Sequence, residues 1–580
     1  MIINLFVLII SYFFFFLTIL GSGILLNNFV IKEKDISLGE TGIFGFINIY
    51  FIILIIHFFS PIKDYIIITL FILFLFFFLK NYKNFLHEKK ISYKKLSVVF
   101  TLFLIISITN NHHDDLYIFQ LPIINYMQNF KVVFGLINLN DFIGQGQSFY
   151  EIMSLFKIPF YGNRVYFLIP IIFLNFFIIY LLENLYENKS AIIKNFVFFI
   201  IILLIIRFNR SKEYGTDLPI LCLLFYIQIN FYKFLENREV KFFSYSILSF
   251  IFAVILKLYS ILSIFYLLPF LYLLKNKSFL ILKNKTYIFF IILLVGCTIF
   301  KNIIVSGCVV YPIKQSCFEK DLLPWSITKE IAHERNIFYS AQVMGWKSFV
   351  KSQKEKKYIA PDEFLKISKF KQYKYLFKDK DVEKLLTVIA ILIIFFIFSF
   401  NSRNKILLKN LDISSKMIIL FCFLMPLLIW FLKIPQSRYG YFSYISFFSI
   451  TLFYFFNKLG ELNLKIIKFS SIILITFLIT KNFNRIYKEV TIKDFLKNEY
   501  PIKNFRTSNF TASEINGIKV NFPTDSVLEC ANIKMLCGSY IESINKIEVS
   551  KNYYFIINDP IGLKKHIKKS GIVDTLEMNN

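Results

Sequence analysis

From Ile2 to Leu26 the chain runs without a single charged side chain. As an α-helix rising 1.5 Å per residue, such a run crosses a hydrocarbon layer of about 30 Å. Comparable runs recur near 41–60, 64–80, 96–110, 164–183, 194–208, 218–233, 243–257, 259–275, 286–304, 383–400, 416–433, 440–457 and 466–481. Backbone N–H and C=O groups in lipid have no water to bond to and must pair within their own segment, which leaves helices as the simplest solution. The expected fold is therefore an all-α polytopic transmembrane bundle of about 14 helices, with external loops and a small α/β C-terminal tail. Composition agrees, because a chain that is 56% hydrophobic with 74 Phe in 580 residues holds more apolar side chain than a soluble core buries. The excess of Phe, Ile, Lys and Asn also fits an AT-rich coding sequence.

A formal charge of +28 would point to nucleic acid in a soluble protein. Here most of the lysines sit between apolar spans, where they hold connections at an anionic cytoplasmic surface, so the expected partner is the lipid bilayer and not nucleic acid. Met1–Phe6 lacks the basic start of a signal peptide, and the apolar stretch is too long for one, so it reads as the first membrane helix. Short connections set the orientation. Lys80, Lys83, Lys89, Lys90, Lys94 and Lys95 crowd one of them, Lys275, Lys277, Lys283 and Lys285 a second, and Arg403, Lys405, Lys409 and Lys416 a third, all on the expected cytoplasmic side. The alternate segments 111–163, 207–217, 301–382, 432–439 and 482–580 then share the external face.

The chain accordingly divides into N-terminal spans (1–110), a first large external loop (111–163), central spans (164–304), an external Cys-containing loop (305–382), C-terminal spans (383–481) and an external tail (482–580). Lys320–Glu383 and Thr491–Asn580 are long enough for soluble subdomains, and Val520–Pro523 and Tyr553–Ile557 read as short strands.

The first loop opens on Asn111-His112-His113-Asp114-Asp115-Leu116-Tyr117. Of two adjacent carboxylates at a membrane surface, one can take the proton of an attacking hydroxyl while its neighbour orients a group or helps hold a divalent cation. The plainer alternative is an acidic helix start that complements the dipole. His112 and His113 extend the cluster toward a metal site, yet adjacent residues rarely supply a full ligand set, and no metal is assigned. Gln120–Phe130 is apolar enough to lie as an amphipathic helix along the interface, and Phe134–Ser148 has loop composition. Arg207, Arg210, Lys212 and Glu213 precede Tyr214-Gly215-Thr216-Asp217-Leu218-Pro219 at an external connection, against the charge preference of short loops. Arg210, Lys257 and Arg438 are candidates for binding a lipid-linked phosphate, the alternative being snorkelling toward headgroups.

Cys222, Cys297 and Cys422 fall in apolar spans, whereas Cys308, Cys317, Cys530 and Cys537 fall in external segments as two local pairs. In an oxidising compartment Cys308–Cys317 and Cys530–Cys537 can each close a short loop; a shared zinc site is the alternative, although the spacing is not that of paired CxxC motifs. No Walker loop, GxSxG or HExxH is present, which disfavours an energy-coupled pump.

At Asp114-Asp115 the chain resembles the GT-C superfamily of integral-membrane glycosyltransferases. Through His113–Tyr117, Phe134–Leu139, Asp217-Leu218-Pro219 and Ser306–Pro312 it is similar to an uncharacterised bacterial family of GT-C-like multi-pass proteins. That resemblance implies a membrane glycosyltransferase, in a bacterial inner membrane with its major loops and C-terminus periplasmic. It implies transfer of a sugar from a polyprenyl-phosphate donor to an envelope glycan or lipid acceptor. It carries the role of base or acceptor-positioning residue to Asp114 or Asp115 alone; for an enzyme of this kind Arg210, Lys257 and Arg438 are the candidates at the donor phosphate, and His113, Tyr117 and Asp217 are candidate further site residues. No cofactor is assigned, and a divalent cation is the one candidate. Two other classes fit the same spans: an O-antigen ligase or polymerase relying on external arginines, and a non-enzymatic lipid or polysaccharide exporter.

Overall fold

Helices dominate because the apolar runs are long and carry few turn residues. The computed structural model describes residues 2–87, 92–109, 115–140, 143, 148–158, 161–187, 190–209, 215–275, 283–346, 349–350, 359–377, 386, 390, 393, 412–455, 464–491, 500–505, 509–524, 530, 535–538, 544–550 and 553–558. In chain order the long helices are α1 (Ile2–Leu26), α2 (Leu38–Phe59), α3 (Asp64–His87) and α4 (Tyr93–Ile108). Two short ones follow in the first loop, α5 (Leu121–Asn129) and α6 (Ser148–Met153). Then come α7 (Leu168–Glu187), α8 (Ala191–Arg207), α9 (Asp217–Asn237), α10 (Val240–Leu256), α11 (Ile264–Leu274) and α12 (Lys285–Ser306). The Cys-containing loop holds α13 (Lys329–Val343), α14 (Pro361–Lys366) and α15 (Lys369–Phe377). The series ends with α16 (Ile413–Lys433), α17 (Ser437–Phe455) and α18 (Leu464–Thr491).

Among the described residues, 7 helical segments are long and apolar enough to cross a membrane: Ile2–Ile31, Leu38–Phe59, Asp64–Tyr82, Asn163–Tyr186, Asp217–Asn237, Lys285–Ser306 and Ile413–Lys433. The remaining expected spans are also helical where described. The one at 259–275 is a 3₁₀ turn, Leu258–Ser263, running into α11, and the one at 383–400 lies outside the described residues except for Leu386, Ala390 and Ile393.

Close helix approach holds the N-terminal bundle together. In lipid, helix association gains little from the hydrophobic effect and depends on van der Waals contact and interhelical hydrogen bonds, which favours small residues at the seam. A Cβ on Gly23 would lie 1.9 Å from the Thr41 carbonyl oxygen and one on Gly45 2.1 Å from that of Ile19, so α1 and α2 meet backbone to backbone. Asn48 crosses the same seam, donating from Nδ2 to the Ser22 carbonyl (3.0 Å) and hydroxyl (2.9 Å). α2 starts with a capping box between Ser37 and Glu40, and the Glu183 carboxylate of α7 accepts from Leu38 N (3.0 Å) and Gly39 N (3.2 Å), satisfying amides that a helix start leaves open.

Connections segregate to two ends of the bundle. At one end Lys233 pairs with Glu40, Lys95 sits over the Tyr186 ring, and Asn284 donates to the Val30 carbonyl. At the other, Val132 N bonds to the His57 carbonyl, Ile62 N to that of Met127, and Tyr553 Oη to that of Phe58. This second end gathers the first loop, the Cys-containing loop and the tail.

Phe134–Leu139 is the junction of these segments. Phe134 N donates to the Tyr554 carbonyl and its own carbonyl accepts from Ile556 N, both at 2.9 Å, while Gly135 N donates to the Ile304 carbonyl at 2.8 Å. Gly135 has φ +69 and a Cβ there would meet the Ile556 oxygen at 2.4 Å, so the position requires glycine. Asn138 Nδ2 adds bonds to the carbonyls of Trp325 (2.9 Å) and Ile556 (2.8 Å).

Beyond α18 the described tail consists of two antiparallel hairpins, β1 (Phe510–Ile515) with β2 (Ile518–Pro523) and β3 (Ile544–Ser550) with β4 (Tyr553–Asn558). Among the described residues the helical part of the tail is the end of α18, which continues past the expected limit at 481 to Thr491. Cys308–Cys317 and Cys530–Cys537 are both disulfide-bonded. α5 differs from the expected interfacial helix, since Leu121–Met127 are all buried, Asn125 included. The tail seals it: Tyr126 Oη donates to the Cys537 carbonyl at 2.6 Å and accepts from Cys537 N at 3.2 Å, and burial raises the phenol's pKa against the effect of that bond.

Candidate functional site

The ends of α8, α9, α10 and α17 carry the charged residues of the candidate site. α9 begins at Asp217, where a carboxylate complements the helix dipole. α10 ends at Leu256, and Lys257 adopts an extended backbone (φ −163°, ψ 127°) before the next 3₁₀ turn, which redirects the chain and turns the ammonium toward Asp217. Arg438 lies in the first turn of α17.

Asp217 bridges the two cations. Its Oδ1 lies 2.7 Å from Lys257 Nζ and its Oδ2 3.7 Å from an Arg438 guanidinium nitrogen. Lys257 also donates to Tyr439 Oη at 3.4 Å, and the Tyr259 and Tyr439 rings pack at 4.7 Å. Arg438 stacks over Tyr439 at 4.7 Å and Arg207 over Tyr441 at 5.5 Å, so the aromatic start of α17 orders both guanidinium groups. Arg438 is 48% exposed, whereas Lys257 and Asp217 are 29% and 20% exposed. Among the described residues, Lys257 and Arg438 share the one carboxylate of Asp217, which also feels the charge of Arg207, a composition suited to a phosphate.

The acidic motif sits at the same end of the bundle. Asp115 is half-buried and immediately precedes the π-helical turn Leu116–Gln120, which continues into α5. Phe119 meets Tyr150 of α6 at 6.1 Å, and Ser148 of α6 donates to the carbonyl of Ile255, two residues before Lys257. On the other side of the motif, Thr109 Oγ1 bonds to Asn482 Oδ1 at 3.1 Å, which accepts from Arg485 at 2.9 Å. Arg485 also donates to Asn209 at its carbonyl (3.2 Å) and Oδ1 (2.8 Å), two residues after Arg207. α18 thus ties the residue leading into the acidic motif to the loop that follows α8.

Of the residues singled out in the sequence, Lys257, Arg438 and Asp217 meet directly. Tyr117 is buried with its ring edge-on to Phe505 at 6.5 Å. His113, Asp114 and Arg210 lie outside the described residues. Among the described residues no group of three His, Cys, Asp or Glu converges as a metal site.

Two features escaped the sequence analysis. Arg485 is one basic residue among many at the end of an apolar run, and nothing local distinguishes it. Lys301 and Glu151 form a buried ion pair at 2.7 Å, with side chains 8% and 10% exposed. A lysine at the end of the expected span 286–304 was a visible signal, because a charge at such depth requires a partner.

Fold and site together define a helical protein with membrane-spanning character and a cation-rich cluster at the end where its large loops converge. The chain belongs to the family described as Domain of unknown function (DUF8201), whose model matches residues 5–445. That range includes Asp115, Asp217, Lys257 and Arg438 and leaves out Arg485 and the tail hairpins. No curated protein and no solved structure matches the chain.

Proposed function

We propose that this chain is a GT-C-like polytopic membrane glycosyltransferase, moving a sugar from a polyprenyl-phosphate donor to an envelope glycan or lipid acceptor on the external face of a bacterial inner membrane. The observation that carries the reading is the Lys257–Asp217–Arg438 cluster, at the bundle end that also holds Asp115. A donor with its prenyl chain between the helices would present its phosphate to Lys257 and Arg438, with Asp217 fixing both cations.

In the transfer, the acceptor hydroxyl oxygen forms a bond to the sugar's anomeric carbon as the bond from that carbon to the phosphate oxygen breaks. The departing electron pair stays on the phosphate. The hydroxyl proton passes to the carboxylate of Asp115 or of its neighbour Asp114. Lys257 and Arg438 stabilise the charge that grows on the phosphate, help commonly worth roughly 3 kcal/mol for one well-placed donor. Asp217 acts as a positioning residue that prevents the cations from turning to solvent.

The test is sugar transfer by the purified full chain from a panel of polyprenyl-phosphate sugars, with donor consumption and product mass followed by mass spectrometry. Replacing Asp114 and Asp115 together by Asn is expected to lower transfer by about 10²-fold or more, the usual share of general base catalysis. Undiminished transfer in that variant removes the acids from the mechanism. Loss confined to Arg438→Ala favours the arginine-dependent ligase or polymerase class, and movement of an unaltered donor between leaflets would identify an exporter.

A further inference from the structure

A cleft of about 1030 Å³ opens at the same end of the bundle, between the α2–α3 turn, α5, Lys157, residues 161–164 and residues 504–505. That is at the upper limit for small-molecule sites, yet its lining is unlike the mainly apolar walls of most of them. The carboxamides of Asn125, Gln128, Asn129, Asn163 and Asn504 face it together. Three of them form a network: Asn163 Nδ2 donates to Asn125 Oδ1 (3.2 Å) and Gln128 Oε1 (2.9 Å), and Gln128 Nε2 donates back to Asn163 Oδ1 (3.2 Å). Gln128 also donates to the Ser154 carbonyl at 2.8 Å, so the array is held from behind by backbone. Carboxamides offer donors and acceptors on one group, which is what a ligand rich in hydroxyls demands.

Two further properties narrow the ligand. Tyr65 and Tyr161 supply aromatic surface beside the amides, with Tyr161 fixed by its bond to Asn4 Oδ1 at 2.9 Å. Among the described residues, Lys63, Lys157 and Arg164 line the cleft against one carboxylate, Asp64, which is paired with Lys157 at 2.7 Å. Arg164 donates to Asn504, which brings the tail to the rim. The net positive lining selects an anionic ligand, while amides and tyrosines select a sugar.

One wall of the cleft is joined by packing to the helix that Asp115 begins. Phe505 forms part of its wall and packs edge-on against Tyr117, two residues past Asp115. Asn125 and Gln128 lie on α5, the continuation of the helix that Asp115 begins. We infer that this cleft is the acceptor site and that its ligand is an anionic oligosaccharide, a sugar chain bearing carboxylate or phosphate groups. The inference rests on the glycosyltransferase reading for the word acceptor, but the binding itself does not.

The experiment therefore measures binding without transfer. Full-length protein in nanodiscs of neutral lipid is titrated with an oligogalacturonate, with a neutral dextran oligomer of similar length and with inorganic phosphate. The oligogalacturonate is expected to bind, the dextran at least about tenfold more weakly. Lys63→Glu and Gln128→Ala should each weaken the oligogalacturonate about tenfold or more, with Lys241→Ala, at the opposite end of the bundle, leaving it unchanged. Unaltered thermal melting of Lys63→Glu, a surface change, separates lost binding from lost folding. Equal affinity for dextran overturns the anionic selectivity. Absent binding, binding indifferent to the cleft variants, or binding of phosphate alone overturns the site. So does Lys63-dependent attachment to vesicles of anionic lipid with no affinity for the oligogalacturonate, since the cleft would then be a headgroup contact. Failure of donor consumption with oligogalacturonate binding intact would count against the glycosyltransferase reading alone.

Discussion

Replacing Lys301 by Met should be among the most damaging single changes in this chain. The Lys301 ammonium lies 2.7 Å from Glu151 Oε1 and 3.4 Å from Ser148 Oγ, and both side chains of the pair are about nine-tenths buried. Among the described residues Glu151 Oε2 has no hydrogen-bond partner, and the charge that faces the carboxylate is that of Lys301. Removing one member of a buried pair leaves a charge with neither water nor counter-ion, at a cost of about 3–5 kcal/mol. For a cooperative unit of 150–250 residues each kcal/mol lowers the melting temperature by about 2–4 °C, giving a fall on the order of 10 °C. The assay is thermal unfolding of the purified protein in detergent, followed by intrinsic fluorescence and by retention of the monomeric peak on size exclusion. Lys301→Met with Glu151→Gln removes both charges and is expected to recover most of the loss, because an apolar replacement of a buried pair is often neutral. A single variant as stable as the parent, or a double variant worse than the single one, would refute the reasoning. The pair matters for the site because it fixes α6, and α6 holds the carbonyl of Ile255 just before Lys257.

Other consequences can be checked alongside. Asp217→Ala frees Lys257 and Arg438 to repel each other and should raise the KM for a polyprenyl-phosphate donor more than about tenfold, with Asp217→Asn intermediate in a steady-state assay. Gly45→Val drives a side chain into the Ile19 backbone and should cost about 1–3 kcal/mol, seen as reduced folded yield and lower melting temperature. Reducing or deleting Cys530–Cys537, which closes a short loop, should cost about 2.5 kcal/mol in the chain-entropy account and expose the Tyr126 region to faster hydrogen exchange. Arg485→Ala should leave the bundle folded while increasing hydrogen exchange around Thr109 and Asn209 together, since one guanidinium group links them.

Much of the architecture was legible because lipid leaves few choices. The apolar runs predict helices at the described spans, and the strands at Val520–Pro523 and Tyr553–Ile557 follow from their β-branched and aromatic content. Their partners β1 and β3 were harder: Phe510–Ile515 and Ile544–Ser550 mix polar and charged residues because one face of each hairpin is open to solvent. Helix α5 misled for a related reason. Its apolar and polar positions alternate as on an interfacial helix, but its polar residues face a carboxamide network and the folded tail, which no local pattern reveals. In the candidate site, the choice of Lys257 and Arg438 followed from cations at the wrong ends of spans, and their meeting at Asp217 is a long-range fact of helix packing. Arg485 and the junction at Phe134–Leu139 belong to the same category, since their partners lie up to several hundred residues away in the chain.

The proposal that the acids and the donor cations work together depends on their sharing the external face of the membrane. Single cysteines at Lys63, Asp115, Lys257 and Arg438, and a control at Lys241 of the opposite end, can be tested in intact cells with a membrane-impermeant maleimide. The account predicts labelling at Lys63→Cys and Arg438→Cys without permeabilisation, protection of both by reagent added outside, and labelling of Lys241→Cys only after the membrane is opened. Labelling of Asp115→Cys from the cytosolic side while Arg438→Cys reacts from outside would contradict it.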